Sequence, residues 1–597
     1  MPVAVDALGV EQTRVRSLRQ AGRAARTRSA LRWLWSGTLL AILTFLVLYP
    51  VAMLLLGAVT NANPVVDGFS KFDLSISNFI EVLGNPNVHL ALANSLIVCS
   101  GGTALAVLIG LTFSWIVVRT NTPCKRLIAS ASMLPLFVPP LVGGVAWGIL
   151  ASPKTGLLNI VPKNLGIDFR FDVYSMTGLI VIFGIYYAPY VYMFTASALR
   201  NMDPALEEAA EISGASAFST LFTVTFPLIM PAILSGMLLS FVVMLGIYGI
   251  PAVLGTPGDI PMLTTYIFKL TNWSPPLYST AAAVAILLMV VTGFLVWLQQ
   301  KVLSGRSYTT VAGKAFRPRS LDLGPWRWLT LALALIYLCV VVILPMLALL
   351  IASTRRFLFI RDFQALINLQ QYSLIHYEKL FDNPLTLRSI YNSMEVGLVT
   401  AIVGGVLAFA ISYTINRTQM PGRRLIDLIS TLPVAIPGLV VGVAYLWAWI
   451  GLPGGLYGTM SILSLAFIAR FMPDTVKALS TSLMQIHREL EEAAWICGKS
   501  IPGTVSAVVL PLARPGVVAA MTLLFILAVR ELGSSLFLYT SETMMMAVLL
   551  LDYYEGGNVG ITAAFSIVQI VLLAGLIGIA NLLTRSGKGS SSLGQAG

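Results

Sequence analysis

The stretch LEEAAWICGKS (Leu490 to Ser500) sets paired carboxylates, two alanines and a Gly-Lys-Ser ending inside a very apolar chain, and LEEAAEISGAS (Leu206 to Ser216) repeats most of it. Adjacent carboxylates suggest acid–base chemistry, and Gly-Lys-Ser suggests a phosphate-binding loop. Neither fits. Glu491 and Glu492 are neighbours, so on a helix their side chains point about 100° apart and do not form a catalytic dyad. A phosphate loop needs a second Gly five residues upstream, after a strand; position 493 is Ala, within a helical pattern. The sequence offers no catalytic residue, no nucleotide site and no cofactor site, so energy must come from a partner. His89, His376 and His487 fall in separate loops and suggest no metal site.

The elements that must position these stretches are membrane spans. The chain has 597 residues, 57% hydrophobic and 11% charged, against about 25% charged in a soluble domain. A bilayer-crossing helix needs roughly 20 apolar residues. Apolar runs predict twelve, near 36–60, 91–118, 128–150, 174–200, 227–255, 277–300, 328–352, 389–415, 426–450, 459–479, 511–538 and 559–583. The first is too long for a signal-peptide core and is read as a retained anchor. The net charge of +12 follows topology and does not point to nucleic acid. Arg14 to Arg32, Lys301 to Arg327, and the turns holding Arg119, Lys125, Arg126, Arg417, Arg423 and Arg424 all fall on one side if both termini are cytoplasmic. Arg355, Arg356 and Arg361 depart from that rule. The four cysteines show no paired spacing that would suggest a disulfide or metal framework.

The chain is also a tandem repeat, the pattern to seek before any motif. Asn94-Ser95 recurs as Asn392-Ser393, Arg119-Thr120 as Arg417-Thr418, Pro139 as Pro437, and Gly144-Val145-Ala146 as Gly442-Val443-Ala444, all at an offset of 298. The opening stretch recurs at an offset of 284, so an indel lies between. Six spans per half, an even number, make the repeats parallel. The expected organisation is a basic tail (1–35), a first repeat (36–300), a linker (301–327), a second repeat (328–583) and a C-terminal tail (584–597).

Each copy of the stretch falls between the fourth and fifth spans of its half. Glu208, Ala209, Ala210, Gly214, Val224, Phe226 and Pro227 match Glu492, Ala493, Ala494, Gly498, Val508, Leu510 and Pro511 in spacing. Glutamates favour a helix N-terminus, and alanines give helix propensity with a low profile. Gly permits a turn that other residues would strain, and Pro suits the first turn of a span. The pattern predicts a helix, a glycine break, a second short helix and then the span: a rigid elbow. It resembles the Glu-Ala-Ala loop of ATP-binding-cassette importer permeases, and the resemblance covers nearly the whole chain. It implies an all-α polytopic membrane protein with about 12 transmembrane helices in two parallel six-helix repeats, like a type I importer permease. One fused chain replaces the usual two in a bacterial inner membrane. The implied partners are an ATPase homodimer gripping the elbows, a periplasmic substrate-binding protein and the lipid bilayer. Glu208 and Glu492 are expected to anchor the elbows, with Gly214 and Gly498 at their bends.

Ionisable residues inside spans default to functional candidates. Arg530 and Glu531 follow Pro511 by about 20 residues, roughly 30 Å at 1.5 Å per residue. They are expected near the outer end, lining a vestibule, contacting a binding protein or pairing with neighbouring helices. Arg470, Asp474 and Lys477 share one helix face, a spacing that permits ion pairing; Tyr186 and Tyr190 replace Arg470 and Asp474 in the first half. Thr310 to Trp328, Asn392 to Ala401 and Arg530 to Leu538 resemble the ferric-iron importer permeases, whose relatives include carriers of 2-aminoethylphosphonate and, further off, thiamine or polyamines. An ion-coupled secondary transporter is the competing class. It leaves the repeated elbows unexplained.

Overall fold

The computed structural model describes residues 30–61, 74–304, 321–360, 363–450 and 455–586. The N-terminal basic residues before position 30, and Arg306, Lys314, Arg317, Arg319 and Arg361, lie outside them. The described chain is helical, with β-bridges only as isolated pairs. Among the described residues nine helices are long and apolar enough to cross a membrane: Ala30–Ala58, Pro86–Arg119, Met176–Asn201, Leu221–Gly246, Tyr278–Lys301, Trp326–Thr354, Pro384–Arg417, Ile501–Val529 and Val559–Ile579. The tenth predicted span is the helix Met460–Met484, less apolar because Arg470, Asp474 and Lys477 interrupt it.

The third and ninth spans differ from expectation. Each predicted single span is two limbs: Lys125–Phe137 and Pro140–Ala151 meet at 102°, and Arg423–Ala435 and Gly438–Trp449 at 112°. The cause is local. A 3-10 turn (Leu134–Phe137, Leu432–Ala435) runs into Pro139 or Pro437, whose backbone is extended with ψ of 136° and 147°. Proline has no N–H to continue the helix and disfavours helical backbone in the residue before it.

Other prolines are absorbed without a break. Pro50, Pro227, Pro345 and Pro511 each follow a five-residue π turn, namely Thr44–Leu48, Leu221–Thr225, Cys339–Ile343 and Val505–Val509. The wider turn gives the ring room where an α turn would clash. The second short helix of each elbow thus runs on through its π turn into the fifth or eleventh span. Those spans begin at Leu221 and Ile501, upstream of the predicted 227 and 511.

The two halves interlock through their first spans. Ala30–Ala58 packs on the second limb of the ninth span, and Trp326–Thr354 packs on that of the third. The first contact is specific. Tyr49 donates to the Ala448 carbonyl at 2.8 Å, Tyr445 donates to the Leu46 carbonyl at 2.8 Å, and Phe45 and Tyr49 both meet the Trp449 ring edge-on. After the linker the chain straps onto the first half. Leu321 N–H donates to the Arg119 carbonyl (2.7 Å) and Asn121 N–H donates to the Leu321 carbonyl (3.1 Å).

The charge departure at Arg355 also has a structural reason. Its guanidinium is buried and donates to the carbonyls of Phe357 (3.3 Å) and Ala365 (2.7 Å), organising the loop after the seventh span. It is a loop-building group there, so it carries little topological information.

A Cβ at Gly57 would lie 2.5 Å from the Trp447 indole, whereas one at Gly37 in the same span meets nothing within 4 Å. Gly57→Ala therefore lowers the melting temperature in detergent, at an overpacking cost of about 1–3 kcal/mol. Gly37→Ala leaves it unchanged or raised; equal effects would rule out the interlock as the cause.

Candidate functional site

The elbow helices are Ala205–Ile212 and Arg488–Ile496. Each ends in the same hydrogen-bonded cap. Gly214 N–H donates to the Glu211 carbonyl (2.9 Å) and Ala215 N–H to the Ala210 carbonyl (3.0 Å); Gly498 N–H donates to Trp495 (2.9 Å) and Lys499 N–H to Ala494 (3.0 Å). Gly214 and Gly498 have φ of +90° and +81°. This is the Schellman arrangement, which uses glycine because a side chain strains left-handed backbone. The Gly-Lys-Ser ending is thus a helix stop followed by a helix start: Lys499 is exposed, and Ser500 caps Ile501–Thr504.

The carboxylates divide as helix geometry requires, and the member turned inward is the neighbour of the one the resemblance implies as anchor. Glu208 and Glu492 are exposed, while Glu207 and Glu491 are buried. Arg119, closing the second span, lies 3.4 Å from Glu207, and Arg417, closing the eighth, lies 3.3 Å from Glu491. Thr225 donates to Glu207 (2.7 Å) and Tyr413 to Glu491 (3.1 Å). Arg417 further donates to the carbonyls of Leu483 and Ile486, at the foot of the elbow. Both arginines looked like ordinary topology charges in the sequence; the usable signal was that Arg-Thr recurs in register at the end of a span.

With the inner face locked, the outer face is left bare. Ala209 and Ala493 are exposed, Ala210 and Ala494 partly so, and the apolar tips Ile212 and Ile496 are 87% and 88% exposed.

The second cluster lies where the bent spans break. Broken backbone inside a membrane protein must find partners within the protein. Arg470 donates to the Ile436 carbonyl at 2.7 Å and reaches Pro433 at 3.4 Å. Thr292 donates to the Ala435 carbonyl (2.6 Å), and Ser534 to the Gly438 carbonyl (2.8 Å). Glu531 accepts from the Ser534 N–H (3.1 Å) and sits over the start of the limb Gly438–Trp449, where a Cβ on Gly438 would be 2.5 Å from its Oε1. A carboxylate is favourable at a helix N-terminus. Arg530, which follows the eleventh span, donates to the Leu136 carbonyl in the break of the other half. Arg530 and Glu531 therefore lie at the breaks between the halves, not simply at the outer end of their span.

Arg470 is turned to these carbonyls, and no ion pair closes between it and Asp474 among the described residues. Asp474 and Lys477 are exposed. Asp474 is near enough to Arg470, Lys477 and Tyr190 of the first half for their charges to interact. In the first half Tyr186 places its hydroxyl against Gly143 in the facing limb.

Paired elbows under a doubled set of spans define a polytopic transport permease with two copies of one architecture in a single chain. The family model described as "Binding-protein-dependent transport system inner membrane component" matches twice, over residues 102–304 and 401–586. The chain belongs to that family and is a multi-pass inner-membrane protein. It is 24% identical to a ferric transport system permease protein of Actinobacillus pleuropneumoniae, over 83% of this chain and 72% of that one. It is 32% identical to the molybdenum transport system permease protein of Escherichia coli, over 28% of this chain and 75% of that one. A crystal structure of a bacterial ABC transporter that imports alginate aligns at a TM-score of 0.39 and 20% identity, over 47% of this chain and 99% of that one.

Arg417→Met strands Glu491 as a buried unpaired charge and lowers stability by about 3–5 kcal/mol, read as a fall in melting temperature. Arg417→Met with Glu491→Met recovers most of that loss. A double variant no better than the single would show that the pair does not couple elbow to span.

Proposed function

We propose that the chain is the membrane permease of an ATP-driven importer of ferric iron, moving its cargo inward by alternating access. The observation that carries the reading is the pair of elbows. Each is locked to its own half by a buried Arg–Glu pair and presents alanines and a bare isoleucine outward. Such a surface suits a groove on an ATPase homodimer, one subunit per elbow. Glu208, Ala209, Ala210 and Gly214, with Glu492, Ala493, Ala494 and Gly498, form the coupling surface. Their rigidity lets closure of the ATPase move both halves. The chain itself acts as the transport subunit, with ATP hydrolysis in the partner.

In this reading 36–300 and 328–583 are the two permease repeats joined by 301–327. The elbows and both termini face the cytoplasm, and a periplasmic binding protein delivers cargo to the opposite face. Basic Arg126, Lys301, Arg327, Arg423 and Arg424 on the elbow side support this orientation. The path runs between the halves past Asp474, with Arg470, Arg530 and Glu531 at its closed end. Ferric iron is preferred because a relative matched over 83% of this chain bears that name. A second reading, 2-aminoethylphosphonate, draws on Asp474 and Lys477, whose opposite exposed charges would suit a zwitterion.

The test is uptake into liposomes holding the chain with its ATPase and binding protein, ferric ion against 2-aminoethylphosphonate. ATP-dependent uptake of ferric ion is expected. Ile212→Asp with Ile496→Asp is expected to abolish uptake and release the ATPase while the chain stays folded. Uptake that ignores both ATP and the elbows would favour the ion-coupled transporter.

A further inference from the structure

The breaks of the third and ninth spans divide the space between the halves into two unlike regions. On the side away from the elbows the interior is filled. Every residue from Leu141 to Ala151 and from Gly438 to Trp449 is buried, as are Ile182 to Pro189 of the fourth span and Ala466 to Ala469 of the tenth. On the elbow side the same two spans open. Met193, Phe194 and Ser197 of the fourth, and Asp474, Lys477 and Thr481 of the tenth, are exposed. A carboxylate facing hydrocarbon would be costly, and Asp474 is close enough to the first half's Tyr190 for their charges to interact, so we read this exposed surface as an aqueous vestibule. The structure is open toward the elbows and shut on the far side by the two buried limbs.

The hydrogen bonds holding the limbs are of two kinds. Those of Arg470 and Ser534 stay within the second half and travel with it. Others cross between halves, among them Tyr49 of the first span to Ala448 and Tyr445 to Leu46. Thr292 of the sixth span bonds Ala435, and Arg530 bonds Leu136. Of these, only the Arg530 bond carries a charge. At the matching position in the first half stands Gly246, packed against Pro437 with no side chain to offer. The latch therefore runs one way, from the second half to the first.

We propose that Arg530 is the latch of the closed gate. Its bond to the Leu136 carbonyl holds the two limbs shut and must be released for the far side to open. This deepens the proposed alternating-access reading and rests on it, because a bond between halves that move apart cannot persist through the cycle. A cap whose only role is to satisfy a broken helix would not need to come from the other half.

The test uses the chain alone in lipid nanodiscs, so its result does not depend on cargo or ATPase. Cys124, Cys339 and Cys497 are replaced by Ser, Cys99 is kept as a buried reference, and Ala444→Cys, which is 2% exposed, reports on the limb. Labelling by a water-soluble maleimide is followed at each site by mass spectrometry. Arg530→Met is expected to speed labelling at position 444 about tenfold, the factor that ~1.4 kcal/mol from a charged hydrogen bond produces, with Cys99 unchanged. A second arm staples the halves. A Cβ at Gly246 would lie 2.9 Å from that of Pro437, so Gly246→Cys with Pro437→Cys can be oxidised to a disulfide after a small shift. The staple is expected to return Arg530→Met to the slow rate, and reduction to release it. Unchanged labelling in Arg530→Met would overturn the latch. So would equal acceleration at Cys99, or a fast rate that the staple leaves untouched.

Discussion

Peptide groups withdrawn from water must find partners inside the protein, and at Pro139 and Pro437 two spans break that rule in mid-course. Much of the architecture answers this constraint. The freed carbonyls of Leu136, Ala435 and Ile436 call for donors, and Arg530, Thr292 and Arg470 supply them. The start of the limb at Gly438 calls for an acceptor, and Glu531 lies over it. Charges that would be prohibitive against lipid are tolerable here because they satisfy backbone that would otherwise be left unpaired. The limbs beyond the breaks are then buried on every side, partly by the first span of the opposite half. Neither half closes its interior without the other.

The elbows repeat that logic at the surface. A buried carboxylate, Glu207 or Glu491, is expensive alone and acceptable beside an arginine that ends a span. The pairing fixes the rotational setting of each short helix, so its alanines and isoleucine face outward together. The two copies reach the same setting with different helpers, Thr225 in one and Tyr413 in the other. The preserved elements are the Arg–Glu contact and the left-handed glycine stop.

Much of this was legible in the sequence. The doubled pattern, the helical class and the bends at Gly214 and Gly498 follow from spacing and from glycine's conformational freedom. The broken spans were hidden because the apolar run continues through Pro139 and Pro437, and hydropathy records no change of direction. Choosing Glu207 over Glu208 needs the helix phase relative to Arg119, which tertiary packing decides. The role of Arg530 was out of reach because its partner is a backbone carbonyl 394 residues away, a group that no side-chain pattern marks. Charge counting treated Arg355 as a free cation, although its guanidinium is spent on a loop.

The central claim is that closure of a partner ATPase moves the two halves through rigid elbows. It is tested most directly by the distance between spin labels at Glu208→Cys and Glu492→Cys in the assembled complex, measured with and without bound ATP. A shorter distance with ATP, reversed after hydrolysis, is the predicted result. A distance unchanged by ATP while ATP-driven uptake proceeds would contradict it.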